Sequence, residues 1–442
     1  MTPLSQLLAD FACAPVDDAC AQDARHMMKL SLLDWASVTI AGVDEPVSRI
    51  LREMVLAEGG QGPCALIATD AHAPARAAAL ANGAASHALD YDDTHFAHIG
   101  HPSVAVIPCA LAIAQQNGAS GRDFLDAALI GVEASVRIGV WLGRAHYQTG
   151  FHQTATAGAF GATIAAARLL GLSPDQTRHA IGIASTRAAG LKSQFGTMGK
   201  PYHAGLAAQT GVEAATLAQA GFLSNPDGLE CEQGFGPTHA GVADETAFSG
   251  LGQTWVFETV SHKFHACCHG THAAIEALLS LRPENRDGAP GYDAIRITTH
   301  PRWMRVCNIQ VPETGLEVKF SYRMTAAMAL LGYDTGALSS FSNQLANCAQ
   351  LRDLAARVQV DTDDTLPETA ARVCVTTPDG HMHHADHDLD APLALATRRQ
   401  KLRAKSGALL GGQKADDLWA AINAPHGPDL AMFFSVVSPG AD

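Results

Sequence analysis

Three stretches dominated by alanine and glycine constrain this chain more than any other feature: PARAAALANGAASHAL (74–89), ATAGAFGATIAAARLLG (155–171) and HAGLAAQTGVEAATLAQAG (203–221). Alanine is the strongest helix former, and small side chains let helix axes approach closely. Such segments bury little apolar area alone, so they hold only when other helices surround them. The pattern therefore predicts a helical bundle with deeply buried members. Residues 24–41 carry apolar side chains at three-to-four spacing, and 102–117 follow a Pro-Ser start. Ser120-Gly-Arg-Asp123 opens a further helix like a capping box, with Glu133 and Arg137 as a modest i,i+4 pair inside it. Ser173-Pro174-Asp175-Gln176 is a stronger start signal: cap, proline, then glutamine at the third position.

The texture changes after residue 267. Residues 293–299 (DAIRITT) alternate and are β-branched, which predicts a strand. ARVCVTT (371–377), Pro378-Asp379-Gly380 and HMHHADHD predict a hairpin, with histidines 381, 383, 384 and 387 on an exposed face. Helices are expected over 320–332 and 336–347, and helical texture returns after 392. The fold class is thus mainly α with α+β. A large all-helical domain, 1–267 with 393–442, receives an inserted smaller α+β lid domain, 268–392.

Composition narrows the function. The chain has 442 residues, 47% hydrophobic and 17% charged, enough for a large core across two or three domains. A formal charge of −14 argues against a phosphate-backbone partner. No run reaches the ~18 apolar residues of a membrane span, and the start has no basic, apolar leader pattern. Ten cysteines without a CxxC pair fit reduced thiols, so a cytoplasmic location is expected.

Four clusters could carry chemistry. His87 to Ser103 holds Asp90, Asp92 and Asp93 with His87, His95, His98 and His101 between two apolar helices. A connecting loop rarely carries this many ionisable groups without a task. Two plainer readings stay open: Asp92 and Asp93 as solvated turn residues, or a metal held by His95, His98 and His101. Gly150-Phe-His152-Gln-Thr154 puts His152 at a helix N-terminus, where the backbone dipole favours a neutral imidazole and anions. Phe195-Gly196-Thr197-Met198-Gly199-Lys200-Pro201 is a glycine-rich loop whose N–H groups could form a nest for an oxyanion, without the P-loop spacing. Ser261 to His272 holds Lys263, His265, Cys267, Cys268, His269 and His272 at the expected domain junction.

Together HALDYDDT…HPS (87–103), GFHQT (150–154), FGTMGKP-H-G (195–205) and KFHACC…TH (263–272) resemble the MmgE/PrpD family. Its members include 2-methylcitrate dehydratase, cis-aconitate decarboxylase and iminodisuccinate epimerase. The resemblance covers nearly the whole chain. It implies a helical domain with an α+β lid, homodimerisation, no cofactor and no metal. The implied activity is a lyase, a dehydratase, hydratase or decarboxylase of a small di- or tricarboxylate, with proton transfer next to a carboxylate. An epimerase in the same fold and a metal- or metabolite-binding protein are the alternatives. The family's catalytic positions fall on Asp90, His101, His152, Lys200 and Lys263. Thr94 falls on a further active-site position, and Thr94, Gly196, Thr197 and His269 are expected to bind substrate. His101 is expected as the leading acid/base with Asp90 orienting it, and His152 as a second acid/base or carboxylate ligand. The lysines are expected to bind carboxylates.

Overall fold

The computed structural model describes residues 2–282 and 291–438. The chain divides into two units, Met1–His262 with Arg398–Asp442 and Lys263–Thr397. The insertion is thus wider than the expected 268–392, which assigns Lys263 to the inserted unit.

Counting helices of seven residues or more, the first unit begins with α1 (Leu4–Cys13), α2 (Gln22–Ala41) and α3 (Pro46–Ala57). Two-residue strands β1 (Cys64–Ala65) and β2 (His72–Ala73) pair antiparallel. Then follow α4 (Ala75–His87), α5 (Ser103–Asn117), α6 (Gly121–Thr149), α7 (Gln153–Leu169), α8 (Pro174–Ser185) and α9 (Gly199–Gln219). The alanine-rich segments lie at the centre. Every residue of α7 from Gln153 to Ala167 is buried, and α7 packs on α5, α6, α8 and α9. Glycines set these distances. A Cβ on Gly83 of α4 would lie 2.9 Å from the Gly205 Cα of α9, and one on Gly161 would lie 2.4 Å from the Gly131 carbonyl oxygen. Any side chain there would push the helices apart.

Ser120 and Ser173 cap as expected, Ser173 in a full capping box with Gln176. The helix of Glu133 and Arg137 is broken at Gly143, which takes φ 73°. Their i,i+4 pair is no surface contact. Arg137 Nε lies 2.5 Å from Glu133 Oε1, and both side chains are buried. Glu133 accepts from the Val256 and Phe257 N–H groups, while Arg137 donates to the carbonyls of Ala247, Ser249 and Thr254. The pair pins the 247–257 segment to α6.

The inserted unit contains α10 (His272–Leu281), β3 (Ala294–Thr299), α11 (Tyr322–Leu331), α12 (Ala349–Ala355), β4 (Val358–Thr362), β5 (Ala370–Thr376) and β6 (Met382–Asp388). The sheet order is β4-β3-β5-β6, parallel between β3 and β4 and antiparallel elsewhere. Ile295, Ile297, Val373 and Val375 are buried on a shared face, and α10 packs on β5 and β6. The Pro378-Asp379-Gly380 hairpin forms as expected, with His381, His383 and His384 exposed and His387 partly covered. The helix expected over 336–347 does not form. Two short turns, Leu338–Ser340 and Asn343–Ala346, stand there, because Ser342 caps a new start at Leu345 N–H.

Three helices complete the described chain: α13 (Leu395–Leu410), α14 (Gly412–Ile422) and α15 (Leu430–Val437). Among the described residues no helix is long and apolar enough to cross a membrane.

Candidate active site

The 88–102 connection leaves α4 at His87 and enters α5 at Ser103. Asp90 takes φ +50°, a left-handed conformation costly for a residue with a Cβ. That bend turns Asp90 and Asp92 toward one imidazole. His101 Nδ1 lies 2.7 Å from Asp92 Oδ2, and its Nε2 lies 3.5 Å from Asp90 Oδ1. Asp92 also meets His87 Nδ1 at 2.9 Å. Asp92 is thus the nearer carboxylate to His101, in place of the expected Asp90.

Asp92 is buried, which opposes ionisation, yet the pull of His101 and His87 holds it well below the usual carboxylate range. An ionised carboxylate only accepts, so the facing Nδ1 atoms of His87 and His101 carry the hydrogens. His101 Nε2, 3.5 Å from Asp90 Oδ1, is then the ring nitrogen left to take up a proton. Burial depresses His101 to about 4; Asp92 opposes this, while His87 and Lys200 add to it.

Lys200 and His203 reach the same place from the first turn of α9. Lys200 Nζ lies 2.7 Å from Asp90 Oδ1. His152 stands at the N-cap of α7 without capping through its side chain. Its Nδ1 lies 3.1 Å from His203 Nδ1, its ring stacks 6.0 Å from His87, and Phe195 packs edge-on against it. Burial, then Lys200 and the neighbouring imidazoles, holds His152 well below its ordinary value. The Asp90 side chain is 45% exposed against 1% for Asp92, so within this unit the cluster opens to solvent at Asp90.

Asp90, His101, His152 and Lys200 therefore converge. Thr94 lies on the same connection, tied to Ser261 by a two-way backbone bridge. Gly196 and Thr197 lie in an exposed loop before Lys200, and the Thr197 hydroxyl bonds Gln194 within that loop. Lys263 and His269 belong to the inserted unit. There Lys263 is buried, and the His269 ring packs edge-on against His272.

Asp92 and Asp93 are buried, which overturns their reading as solvated turn residues. Asp93 is pushed up to about 7 by burial, against a hydrogen bond from Ser103, with Asp34 and Asp92 adding to the rise. His95, His98 and His101 do not converge as a ligand triad. His95 Nε2 is engaged by the Val256 carbonyl and the Thr259 hydroxyl. His98 sits in a slot against Gly100 and Gly139. Among the described residues, the group close enough for a divalent ion is instead His87, Asp90, Asp92 and His101, with ligand atoms within 4.8 Å of one another. An ion there would share Asp90 with the Lys200 ammonium, and Coulomb repulsion opposes that.

His87, Asp92 and His203 are not among the residues to which the sequence assigns a role. The signal for His87 and Asp92 is the density of ionisable groups over 87–103, and for His203 its place three positions after Lys200.

The division of the chain into two units agrees with a family match in two domains. The chain belongs to the MmgE/PrpD family: the N-terminal domain model matches residues 6–246 and the C-terminal one 265–422. It is 30% identical over 369 residues to cis-aconitate decarboxylase of Homo sapiens, covering 79% of this chain and 76% of that protein. The Mus musculus cis-aconitate decarboxylase is 29% identical over 362 residues, 77% of this chain and 74% of its own. The Aspergillus terreus one is 31% identical over 280 residues, 60% of this chain and 57% of its own.

Proposed function

We propose that this chain is a lyase that decarboxylates a small unsaturated tricarboxylate, cis-aconitate or a close analogue. The observation that carries the reading is the bifurcated Asp92, which orients His101 so that its Nε2 faces the Asp90–Lys200 pair. The names of the relatives favour decarboxylation over the dehydratase and epimerase outcomes left open by the sequence.

The chemistry balances with a proton alone. The pair of the breaking C–C bond forms a new methylene double bond as CO2 leaves. The original double bond shifts, and its distal carbon takes one proton. His101 Nε2 is the proposed donor. At neutral pH it is deprotonated in the free protein, and three substrate carboxylates would raise its proton affinity on binding. Lys200 is proposed to hold a substrate carboxylate, with His152 as a further ligand or acid. Fixed cations stabilise charge that builds on the carbon skeleton in a desolvated site. No electron transfer occurs in this scheme, so it calls for no redox cofactor. A homodimeric, cytoplasmic enzyme belongs to the same proposal.

Incubation with cis-aconitate, 2-methylcitrate and an iminodicarboxylate, followed by mass detection, tests the reading. The expected result is CO2 in step with cis-aconitate consumption. Water loss from 2-methylcitrate without CO2 would reassign the chain to the dehydratases. Solvent deuterium in recovered substrate, with neither loss, would reassign it to the epimerases.

A further inference from the structure

Between the two aspartates that face His101 lies Tyr91, and its carbonyl oxygen is held from far along the chain. Lys405 Nζ, on α13, lies 2.6 Å from it. The same ammonium lies 2.5 Å from Asp34 Oδ1 of α2 and 3.8 Å from the centre of the Tyr91 ring. All three residues are buried, at 2% exposure for Asp34, 1% for Tyr91 and 3% for Lys405. A second bond, Ser37 to Ser406 at 2.8 Å, fastens α13 to α2 beside this pair.

Burying two opposite charges seldom adds stability over apolar residues of similar size, so such a pair is weak support for a purely structural role. Here the cation contacts both the carbonyl and the ring of one loop residue, and the carboxylate of Asp34 holds it there from α2. That residue follows Asp90, whose φ of +50° has to be imposed by its surroundings. If the Tyr91 carbonyl were released, Asp90 could relax toward an ordinary conformation. Its carboxylate would then leave Lys200 and His101, and Asp92 would lose its two-imidazole register.

We infer that Lys405, anchored by Asp34, is a positioning residue for the reaction: it fixes the Tyr91 carbonyl and thereby the two aspartates that orient His101. This rests on the reading of the cluster as the reaction site. Lys405 lies 314 residues along the chain from the Tyr91 carbonyl that it holds.

The test separates positioning from folding. Lys405→Met alone strands a buried carboxylate and is expected to lower the melting temperature. Asp34→Leu/Lys405→Met removes both charges and is expected to recover it. If Lys405 positions the loop, the double variant keeps a kcat lowered about 10- to 100-fold, with KM changed less than about twofold, as for a small misplacement of reacting groups. Lys405→Arg, which keeps a cationic donor, is expected to restore part of kcat. A readout without substrate comes from 15N-histidine spectra, with the His101 signals assigned from His101→Gln. The double variant should shift both His101 ring nitrogens. Turnover that returns together with the melting temperature would overturn the inference, as would His101 signals that coincide with the wild type. Should the wild-type protein turn over no polycarboxylate, the proposed reaction fails, and the histidine spectra still decide whether Lys405 sets the loop.

Discussion

The Nδ1 atoms of His152 and His203 face each other at 3.1 Å, and a single hydrogen joins them. One ring must therefore be the Nδ1–H tautomer and the other its acceptor, so the two tautomers are coupled. His152 follows the Gly150 bend into α7, and His203 stands three residues beyond Lys200 on α9. His203→Ala should free the His152 ring and lower kcat/KM about tenfold, the scale of one hydrogen bond. Steady-state kinetics check this, and an unchanged kcat/KM would remove His203 from the site.

His101 is the proposed proton donor, and general acid–base groups contribute about 10²- to 10⁴-fold. His101→Gln should lose kcat on that scale while calorimetry still detects tricarboxylate binding. Asp92→Asn should act in the same direction, because an amide cannot accept from both His87 and His101 in the same way. A His101→Gln enzyme with wild-type kcat would exclude the proposed donor.

Lys200 reaches Asp90 from the first turn of α9 and is the proposed ligand of a substrate carboxylate. Lys200→Met should lower kcat/KM about 10- to 150-fold, the range of a charged hydrogen bond. Most of the loss is expected in KM. A loss confined to kcat would make Lys200 a participant in proton transfer instead.

The depressed pKa of His101, about 4, and of His152 predict proton uptake on binding. In the free protein both imidazoles are neutral at pH 7. A bound trianion stabilises the charged form and raises both pKa values, so the complex takes up protons and affinity falls as pH rises. Calorimetry at pH 7 in two buffers of different ionisation enthalpy measures the uptake. Identical heats in both buffers would contradict it.

Gly139 lies against His98, and a Cβ there would sit 1.9 Å from the imidazole Nδ1. His98 is fully buried, so the ring has little room to retreat. Gly139→Ala should destabilise the fold by about 1–3 kcal/mol, as overpacking does, read from denaturant unfolding. The same strain should reach His101 along the 98–101 segment and lower turnover.

The helical bundle, the inserted strands and hairpin, and the family were legible in the sequence, because each rests on short-range pattern. Helix propensity, capping and β alternation act within a few residues. The helix expected over 336–347 shows the limit: a Ser342 cap divides that stretch into two short turns. Glu133 and Arg137 show another limit, since i,i+4 spacing gave the pair and only packing made it a buried staple for 247–257. At the cluster, the sequence supplied Asp90, His101, His152 and Lys200 through motifs. It did not supply Asp92 as the carboxylate nearer His101, His203 as the partner of His152, or Lys405 behind Tyr91. Those relationships join residues that are far apart in the chain or turned by a left-handed bend. Local composition fixes which helices form, whereas which imidazole meets which carboxylate depends on distances of a few ångströms that only the packed bundle sets.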